Sequence, residues 1–306
     1  HHEEAKHVAI HQHPFGEGKE RFAYRFYELG QDGRSIVGKA LVAKESRYIQ
    51  ENNLGNELAR KKYSQRFCRT QQLAKRIANE FNAKLDWLHR VDDRTPRIEM
   101  LECCIHEIDD IFIGKLSVLV EERLDESKWQ KWNSNSGFVH GMKVKPTFEN
   151  CEIEHTLEKL QKLELCGSIG QPINLGMVEE GDEEEESEGE NDEEVRRVLP
   201  VQSITFSPSE VAQAFSHFSY WSTGRKRLIC DIQGVYDEEK NMLRLSDPAI
   251  HYHNPRKTHK IMVHGKTDLG TTGFAKFFAT HECSKLCYLV NRGFKLSNDK
   301  LRNKYA

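Results

Sequence analysis

The amino-acid sequence predicts an α+β fold built as two lobes. Apolar residues recur with a period of two in some stretches and with a helical period of about 3.6 in others, and both patterns occur along most of the 306 residues. A chain of this length can bury a sizeable core and commonly forms one large or two small domains. We expect a tail at 1–14, an N-terminal lobe at 15–127 and a C-terminal lobe at 128–306.

Composition and charge exclude several classes of protein. The net charge of −3 and the isoelectric point near 6.6 do not suit a protein that neutralises a nucleic-acid backbone. There is no run of about 18 apolar residues to span a bilayer, and the first residues lack the apolar core of a signal peptide. We therefore expect a soluble, cytoplasmic protein. The missing initiator Met and the opening His-His suggest a fragment, the remnant of a tag or a domain cut from a longer chain.

The N-terminal lobe begins with a predicted β-hairpin. Its two strand-like runs, FGEGKERFAYRFYELG and SIVGKALVAKESRY, flank a turn between Gly30 and Gly33. From Asn56 to about Leu88, apolar residues at helical intervals predict one long or two short amphipathic helices. The runs RIEMLECCIHEID and KLSVLVEERLD then predict two further strands.

An acidic insert interrupts the C-terminal lobe. Residues 179–194 are almost wholly acidic and contain no aromatic side chain, so they cannot bury enough apolar surface to offset their chain entropy. We expect a partly disordered insert at about 145–203. Order returns where Ser207, Pro208 and Glu210 form a capping-box pattern, which predicts the start of a helix.

Two further elements follow that helix. The apolar run RLICDIQGV predicts a buried strand that ends in a polar cluster, where a catalytic group would emerge. Asp231 lies in this cluster, and a carboxylate there is costly unless it is paired or binds a metal. The run GFAKFFATHECSKLCYLV has apolar residues at helical spacing, which predicts a last helix closed by Gly293.

Two familiar phosphate-handling signatures do not fit the chain. Gly265-Lys266-Thr267 imitates the end of a P-loop, but Lys260 stands where that loop requires glycine. His89-Arg90-Val91-Asp92 imitates the catalytic loop of ordinary protein kinases, but the H-R-D order and the later D-F-G and A-P-E strings are absent. We therefore exclude a P-loop NTPase and an ordinary protein kinase.

A better signal is a group of metal-ligand residues near the C-terminal end. Among eight cysteines, only Cys283 and Cys287 have an informative spacing, since positions i and i+4 share one face of the predicted helix. His281 precedes them by two residues and His251 is the candidate fourth ligand, so we expect zinc. The alternative is a buried cysteine pair beside a chance histidine, and His217 is expected to be a hydrogen-bonded structural residue.

Six strings resemble those of a known family. They are WNSNSGFV, QAFSHF, DIQGV, SDPAIH, DLGTTG and THECSKLC, in this order. From about Phe15 to Phe294 the sequence resembles the alpha-kinase family, in which such strings occur in the same order. The resemblance implies a kinase-like two-lobed fold with a zinc-stapled C-terminal lobe. It also implies an atypical protein kinase that transfers the γ-phosphoryl group of MgATP to protein Ser/Thr, with Thr favoured.

The same resemblance implies roles for residues of the nucleotide site. It makes Lys44 the lysine that contacts the ATP phosphates, and Gly16 and Gly18 the loop that covers them. Glu121 to Leu124 would form the hinge that binds adenine through backbone atoms. Phosphoryl transfer depends on charge neutralisation more than on covalent chemistry, and these residue types suit that requirement.

Catalytic, metal and substrate residues are implied in the same way. Asp231 becomes the catalytic aspartate near the acceptor hydroxyl, and Gln233 and Asp247 resemble the magnesium ligands. The zinc ligands implied are His251, His281, Cys283 and Cys287. The loop that would present the substrate contains Asp268, Gly270 and Gly273.

The chain departs from the family pattern at two of these sites. The helix after Lys44 lacks the usual acidic residue, so the partner of the lysine stays open between Glu57 and Glu80. Asp268 stands where Asn is common, which would weaken the attraction for an acidic substrate or a phosphate.

Extra residues between the two predicted magnesium ligands introduce competing carboxylates, namely Asp237, Glu238 and Glu239. We favour Asp247 because it precedes the zinc candidate His251 in the string SDPAIH, whereas the competitors lie in an enlarged loop. The rival function is a zinc-stabilised scaffold or pseudokinase that binds partners without turnover. The presence of all the side-chain types that catalysis requires favours the enzyme.

Overall fold

The computed structural model describes residues 2–47, 57–110, 114–143, 153–159, 203–253 and 262–291. The acidic run at 179–194 lies outside these residues, and so does most of the predicted insert, apart from a helical segment at 153–159. None of the helices in the described ranges combines the length and the apolar content that a membrane span requires.

Strands and helices follow one another as an α+β fold requires. In chain order they are β1 (His7–Ile10), β2 (Gly16–Glu17), β3 (Arg21–Leu29), β4 (Ile36–Ser46), α1 (Glu57–Trp87), β5 (Arg97–Met100), β6 (Cys103–Asp110), β7 (Gly114–Glu122), a 3-10 turn (Glu126–Lys128), β8 (Gln130–Lys131), α2 (Pro208–Ser222), β9 (Arg227–Cys230), β10 (Gln233–Asp237), β11 (Met242–Leu245), β12 (Ala249–Tyr252), α3 (Thr271–Thr280) and α4 (Lys285–Asn291).

The N-terminal lobe is built on an antiparallel sheet with the order β1-β3-β4-β7-β6, and β2 pairs with β3. The predicted hairpin around the Gly30 to Gly33 turn is confirmed as β3 and β4. β1 comes from the segment that was predicted to be a tail. It joins the sheet because Val8 and Ile10 pack against the buried cluster that contains Phe26.

Helix α1 is one continuous helix of 31 residues rather than two short ones. Its buried residues recur at helical spacing and include Phe67, Ala74, Ile77 and Phe81. The helix packs against β5, β6 and β7, while the Phe81 ring meets the Phe215 ring of α2 edge-on with centroids 5.6 Å apart. It therefore joins the N-terminal sheet to the core of the C-terminal lobe.

The second sheet has the strand order β5-β11-β10-β8. It contains strands from both sides of the boundary that was predicted between the two lobes at residue 127. The run RIEMLECCIHEID forms two strands rather than the one that the sequence predicted. β5 pairs parallel to β11, and the chain then crosses to β6 in the first sheet. The predicted single strand divides into β5 and β6 because Ile98 and Met100 of β5 are buried in the core of the C-terminal lobe.

Helix α2 begins as the sequence predicted. Ser207 Oγ accepts a hydrogen bond from the Glu210 N–H, and the Glu210 carboxylate accepts one from the Ser207 N–H. Pro208 occupies the first turn, where its missing N–H costs nothing. Below α2, β9 pairs antiparallel with β12.

The last predicted helix is in fact two helices. α3 ends at Thr280, and α4 begins at Lys285. His281 has an extended backbone (φ −75°, ψ 120°) that ends α3. Of the three ligands predicted on one helical face, only Cys287 lies in a helix, so that part of the prediction is wrong.

Ser207→Ala should lower the free energy of unfolding by about 1 kcal/mol, because the Glu210 N–H loses its side-chain acceptor. Urea unfolding measures the change. Ser209→Ala, in the same helical turn, is the matched control and should have a much smaller effect. Equal losses in the two variants would contradict the capping role.

Candidate active site

A cleft of about 770 Å³ lies between the N-terminal sheet and the C-terminal lobe. Its volume suits a ligand of nucleotide size. One wall consists of residues 15–21, β4 and the end of β7, and the other includes the loop that follows β8. All the predicted nucleotide and catalytic residues line this cleft, namely Gly16, Gly18, Lys44, Glu121, Leu124, Asp231, Gln233 and Asp247.

Lys44 is held between two carboxylates inside the cleft. The residue is only 4% exposed, and its ammonium group forms ion pairs with Glu121 and with Asp247, whose Oδ2 lies 2.8 Å from Nζ. The partner left open by the sequence is therefore Glu121, not Glu57 or Glu80. Glu121 was predicted to act through its backbone in the hinge, but its side chain turns inward to the lysine.

Two residues that the sequence reasoning missed hold Glu121 in place. Gln71 Nε2 of α1 donates to Glu121 Oε2 at 2.9 Å and to the Leu101 carbonyl at 2.9 Å. Ser246 Oγ donates to Glu121 Oε1 at 2.5 Å and accepts from Lys44 Nζ at 2.9 Å. Gln71 shares the buried side of α1 with other polar residues, namely Arg60, Ser64, Thr70 and Lys84, so its polarity alone gave no signal that would have singled it out.

Asp247 is paired with two cationic side chains in the cleft. Its carboxylate pairs with the Arg21 guanidinium as well as with Lys44. Burial opposes ionisation of Asp247, but Arg21 and Lys44 outweigh it and lower its pKa below the ordinary value. The backbone of Asp247 is left-handed, with φ of +55°, a conformation that is uncommon outside glycine and frequent at functional sites.

Asp231 has the same unusual backbone, with φ of +56°. Its Oδ1 accepts a hydrogen bond from the Asn135 N–H at 3.1 Å and lies 2.9 Å from Lys131 Nζ. Lys131 and Asn135 were not predicted as site residues. Together they orient the predicted catalytic carboxylate.

The predicted magnesium ligands lie side by side. Gln233 Nε2 donates to the Asp247 carbonyl oxygen at 3.4 Å, so an amide and a carboxylate are adjacent in the cleft. The competitor Asp237 is at the far end of β10, where its Oδ1 accepts from the Lys240 N–H at 3.1 Å. Glu238 and Glu239 are exposed in the turn beyond it, and none of the three lines the cleft.

A second site is a compact group of His217, His281, Cys283 and Cys287, whose potential ligand atoms all lie within 4.8 Å of one another. His217 Nδ1 is 3.1 Å from His281 Nε2 and 3.6 Å from Cys283 Sγ. His281 Nε2 is 3.6 Å from Cys287 Sγ. Two nitrogens and two sulfurs form a donor set typical of structural zinc.

Hydrogen bonding in this group favours a thiolate. The bond from the Cys283 thiol lowers the pKa of Cys287 far below its ordinary value, against the effect of burial, and His217 and His281 add to the shift. The shared bond raises the pKa of Cys283 correspondingly. A thiolate is the form in which cysteine binds a metal.

His251 is not part of this group, which corrects the sequence prediction. It is fully buried on β12, and its Nδ1 accepts a hydrogen bond from the Leu269 N–H at 3.1 Å. Gly273 packs so closely on the imidazole that a Cβ there would overlap it. His217, predicted to be structural, takes the fourth place because α2 brings it beside the end of α3.

The residues of the predicted substrate loop, Asp268, Gly270 and Gly273, each have a structural role. Asp268 is fully buried, and its Oδ1 accepts from the N–H groups of Tyr252 and Gly270, each at 3.0 Å. Gly270 has φ of +59° at the start of α3, and Gly273 makes room for His251. Asp268 is therefore directed into the protein, and the effect of its charge on an incoming anion stays a prediction.

Comparisons with known proteins agree with this architecture. A family model described as the Alpha-kinase family matches residues 16–161 and 196–287. Myosin heavy chain kinase B of Dictyostelium discoideum is 25% identical over 285 residues, which are 93% of this chain and 25% of that protein. Eukaryotic elongation factor 2 kinase of Caenorhabditis elegans is 24% identical over 297 residues, 95% of this chain and 26% of that protein.

Solved structures share the fold. An alpha kinase from Entamoeba histolytica superposes with a TM-score of 0.53 at 19% identity, covering 92% of this chain and 76% of that chain. The alpha-kinase domain of myosin heavy chain kinase A in complex with AMP gives 0.52 at 18% identity, covering 94% and 91%. The chain spans about a quarter of the length of the curated relatives above. On the match to the family model, which extends over most of its length, the chain belongs to the alpha-kinase family.

Proposed function

We propose that this chain binds MgATP in the cleft and transfers the γ-phosphoryl group to Ser or Thr of protein substrates, with Thr favoured. The observation that carries the proposal is that Lys44, fixed between Glu121 and Asp247, shares one cleft with Asp231. The proposal is supported by two of the relatives, which are a myosin heavy chain kinase and an elongation factor 2 kinase. The nucleotide bound by the related domain of myosin heavy chain kinase A also supports it.

The lysine supplies fixed positive charge for the phosphates of ATP. The buried Glu121 carboxylate, the partly buried Asp247 carboxylate and the Ser246 hydroxyl restrict its ammonium group to one position. Such preorganised charge stabilises a transition state without the cost of reorientation. Gly16 and Gly18 cover the same end of the cleft, where the absence of side chains lets the backbone approach a ligand closely.

Asp231 is the residue that would act on the acceptor hydroxyl. The Asn135 N–H and the Lys131 ammonium both point to its Oδ1, which leaves Oδ2 as the oxygen that can accept a hydrogen bond from an incoming Ser or Thr. A carboxylate in this role orients the nucleophile and accepts its proton.

Magnesium would be held by Asp247 and Gln233. Their carboxylate and amide oxygens are the hard donors that this cation prefers, and the lowered pKa of Asp247 keeps its carboxylate ionised at neutral pH. Magnesium bound together with ATP would neutralise phosphate charge. The rival function, a scaffold without turnover, gains no support, because the groups that catalysis requires line one cleft.

We also propose that His217, His281, Cys283 and Cys287 hold one structural zinc ion. Four protein donors leave no open position for a substrate, which distinguishes a structural from a catalytic zinc site. The ligands come from α2, α4 and the segment between α3 and α4. A metal there would tie three helices together and contribute folding free energy.

Asp231→Ala and Asp247→Ala should each lower kcat by on the order of a thousandfold, because each removes charge that acts in the transition state. Steady-state phosphorylation of a Thr-containing peptide at saturating and limiting magnesium measures the effect. Asp237→Ala is the matched control and should be near normal. A loss of turnover in Asp237→Ala, together with normal turnover in Asp247→Ala, would assign the magnesium site to the loop after β10 instead.

Glu121→Gln should lower kcat/KM for ATP by roughly tenfold to a hundredfold, as misplacement of a reactive group does. The new amide NH2 would face either Gln71 or the pair Lys44 and Ser246, so that a donor meets a donor. ATP titrations at fixed peptide check this. Glu107→Gln, on the exposed edge strand β6, should have no effect, and a similar loss there would refute the argument.

Purified protein should contain about one zinc per chain. His217→Ala should lose the metal and much of the stability of the C-terminal lobe, while folded His251→Ala should keep the metal. Elemental analysis with thermal unfolding decides between the two histidines. Retained zinc in His217→Ala with loss in His251→Ala would restore the ligand set expected from sequence.

Trp221 offers a spectroscopic test of the same site. Its Nε1–H donates to His217 Nε2 at 2.8 Å, while His217 Nδ1 faces the cluster. An imidazole that binds metal through Nδ1 carries its proton on Nε2 and cannot accept this bond. Chelation should therefore shift tryptophan emission, and Trp221→Phe should abolish the shift. An unchanged shift in Trp221→Phe would contradict ligation through Nδ1.

A further inference from the structure

The loop that holds Asp231 is a closed, hydrogen-bonded unit, which we name the asparagine loop (residues 133–139). Ser134 N–H donates to the Phe138 carbonyl at 3.0 Å, and Ser134 Oγ accepts from the N–H groups of Phe138 at 3.1 Å and Ser136 at 3.2 Å. These bonds fix the loop internally. Its one contact with the predicted catalytic carboxylate among those described above is the bond from Asn135 N–H to Asp231 Oδ1 at 3.1 Å.

The base of the asparagine loop is fastened by a buried side chain. Asn133 is 1% exposed. Its Oδ1 accepts from the Ile232 N–H at 3.1 Å, and its Nδ2 donates to Ser216 Oγ of α2 at 2.9 Å. The base is therefore fixed both to the backbone next to Asp231 and to the helix behind it.

The tip of the asparagine loop is fastened by one hydroxyl from another helix. Thr280 Oγ, at the end of α3, lies 2.7 Å from the Gly137 carbonyl oxygen. Two carbonyls of its own helix are farther away, Phe277 at 3.3 Å and Lys276 at 3.4 Å. A hydroxyl has a single proton to donate. The shortest distance assigns that proton to Gly137 rather than to the helix.

We propose that Thr280 is a positioning residue for phosphoryl transfer, which rests on the function proposed above. Its hydroxyl holds the tip of the asparagine loop, and Gly137 is only two residues from Asn135. Without that bond the tip is free to move away from α3, and the Asn135 N–H loses its alignment with Asp231 Oδ1. Of the partners seen in the described part of the chain, Asp231 would then keep only the partly exposed Lys131.

The alternative is a threonine that only satisfies the end of its own helix, as Ser and Thr often do. The two readings differ in what a valine would change. Valine keeps the branched shape of threonine, so a purely local role predicts a small change in helix stability. A positioning role predicts a loss in turnover that serine restores, because serine keeps the hydroxyl.

The test compares Thr280→Val with Thr280→Ser, with Thr205→Val as a control at an exposed threonine. Thr280→Val should lower kcat by on the order of tenfold, because a small misplacement of a catalytic group slows the chemical step. KM for ATP should stay within about twofold of the unsubstituted chain, since Lys44 and its partners are untouched. Normal kcat in Thr280→Val, or no recovery in Thr280→Ser, would overturn the proposal.

A second measurement separates this proposal from the proposed function. Hydrogen exchange at the Asn135 and Phe138 amides should be faster in Thr280→Val than in the unsubstituted chain and in Thr280→Ser. If the unsubstituted chain transfers no phosphate, the proposed function fails, but faster exchange still supports the anchoring of the loop. Unchanged exchange overturns the proposal, and so does loss of zinc from Thr280→Val, which would assign the effect to the neighbouring His281.

Discussion

The burial of one positive charge constrains the whole cleft between the N-terminal sheet and the C-terminal lobe. Lys44 is 4% exposed, and an ammonium group in such a place is stable only when opposite charge and hydrogen bonds replace its water. Glu121 and Asp247 provide the charge, and Ser246 provides the hydrogen-bond acceptor. Because these groups come from β4, β7 and the segment after β11, the requirement to compensate one lysine fixes the two lobes relative to each other.

The two aspartates are placed by the pairing of β9 with β12. Cys230 lies opposite Ala249 in this antiparallel pair, so Asp231 and Asp247 leave it at the same end. Both turn into the cleft through a left-handed backbone, which costs free energy that the surrounding contacts must repay. Gly234 allows the next strand to pass closely, since a Cβ there would overlap the Arg244 carbonyl.

Local features of this chain could be predicted from sequence, and long-range pairings could not. The hairpin β3–β4, the helix α1 and the capping box at Ser207 each follow from residues a few positions apart. The ion pair of Lys44 with Glu121 joins residues 77 apart, and no periodicity connects them. The wrong choice of His251 as the fourth metal ligand has the same cause. Both His217 and His251 are plausible ligands in the sequence, and only the packing of α2 against α3 determines that His217 reaches the cysteines.

The group of His217, His281, Cys283 and Cys287 does not line the cleft, so the zinc proposed for it would act on catalysis only through packing. These four residues surround the end of α3, whose Phe274 and Phe277 pack against Leu228 and Cys230 of β9 in one apolar cluster. Cys230 directly precedes Asp231. A metal that fixed the end of α3 would therefore stabilise the layer on which β9 rests. The Thr280 hydroxyl, one residue before His281, reaches the asparagine loop on the other side of Asp231. With that metal in place, the end of α3 would support the left-handed backbone of Asp231 from two directions.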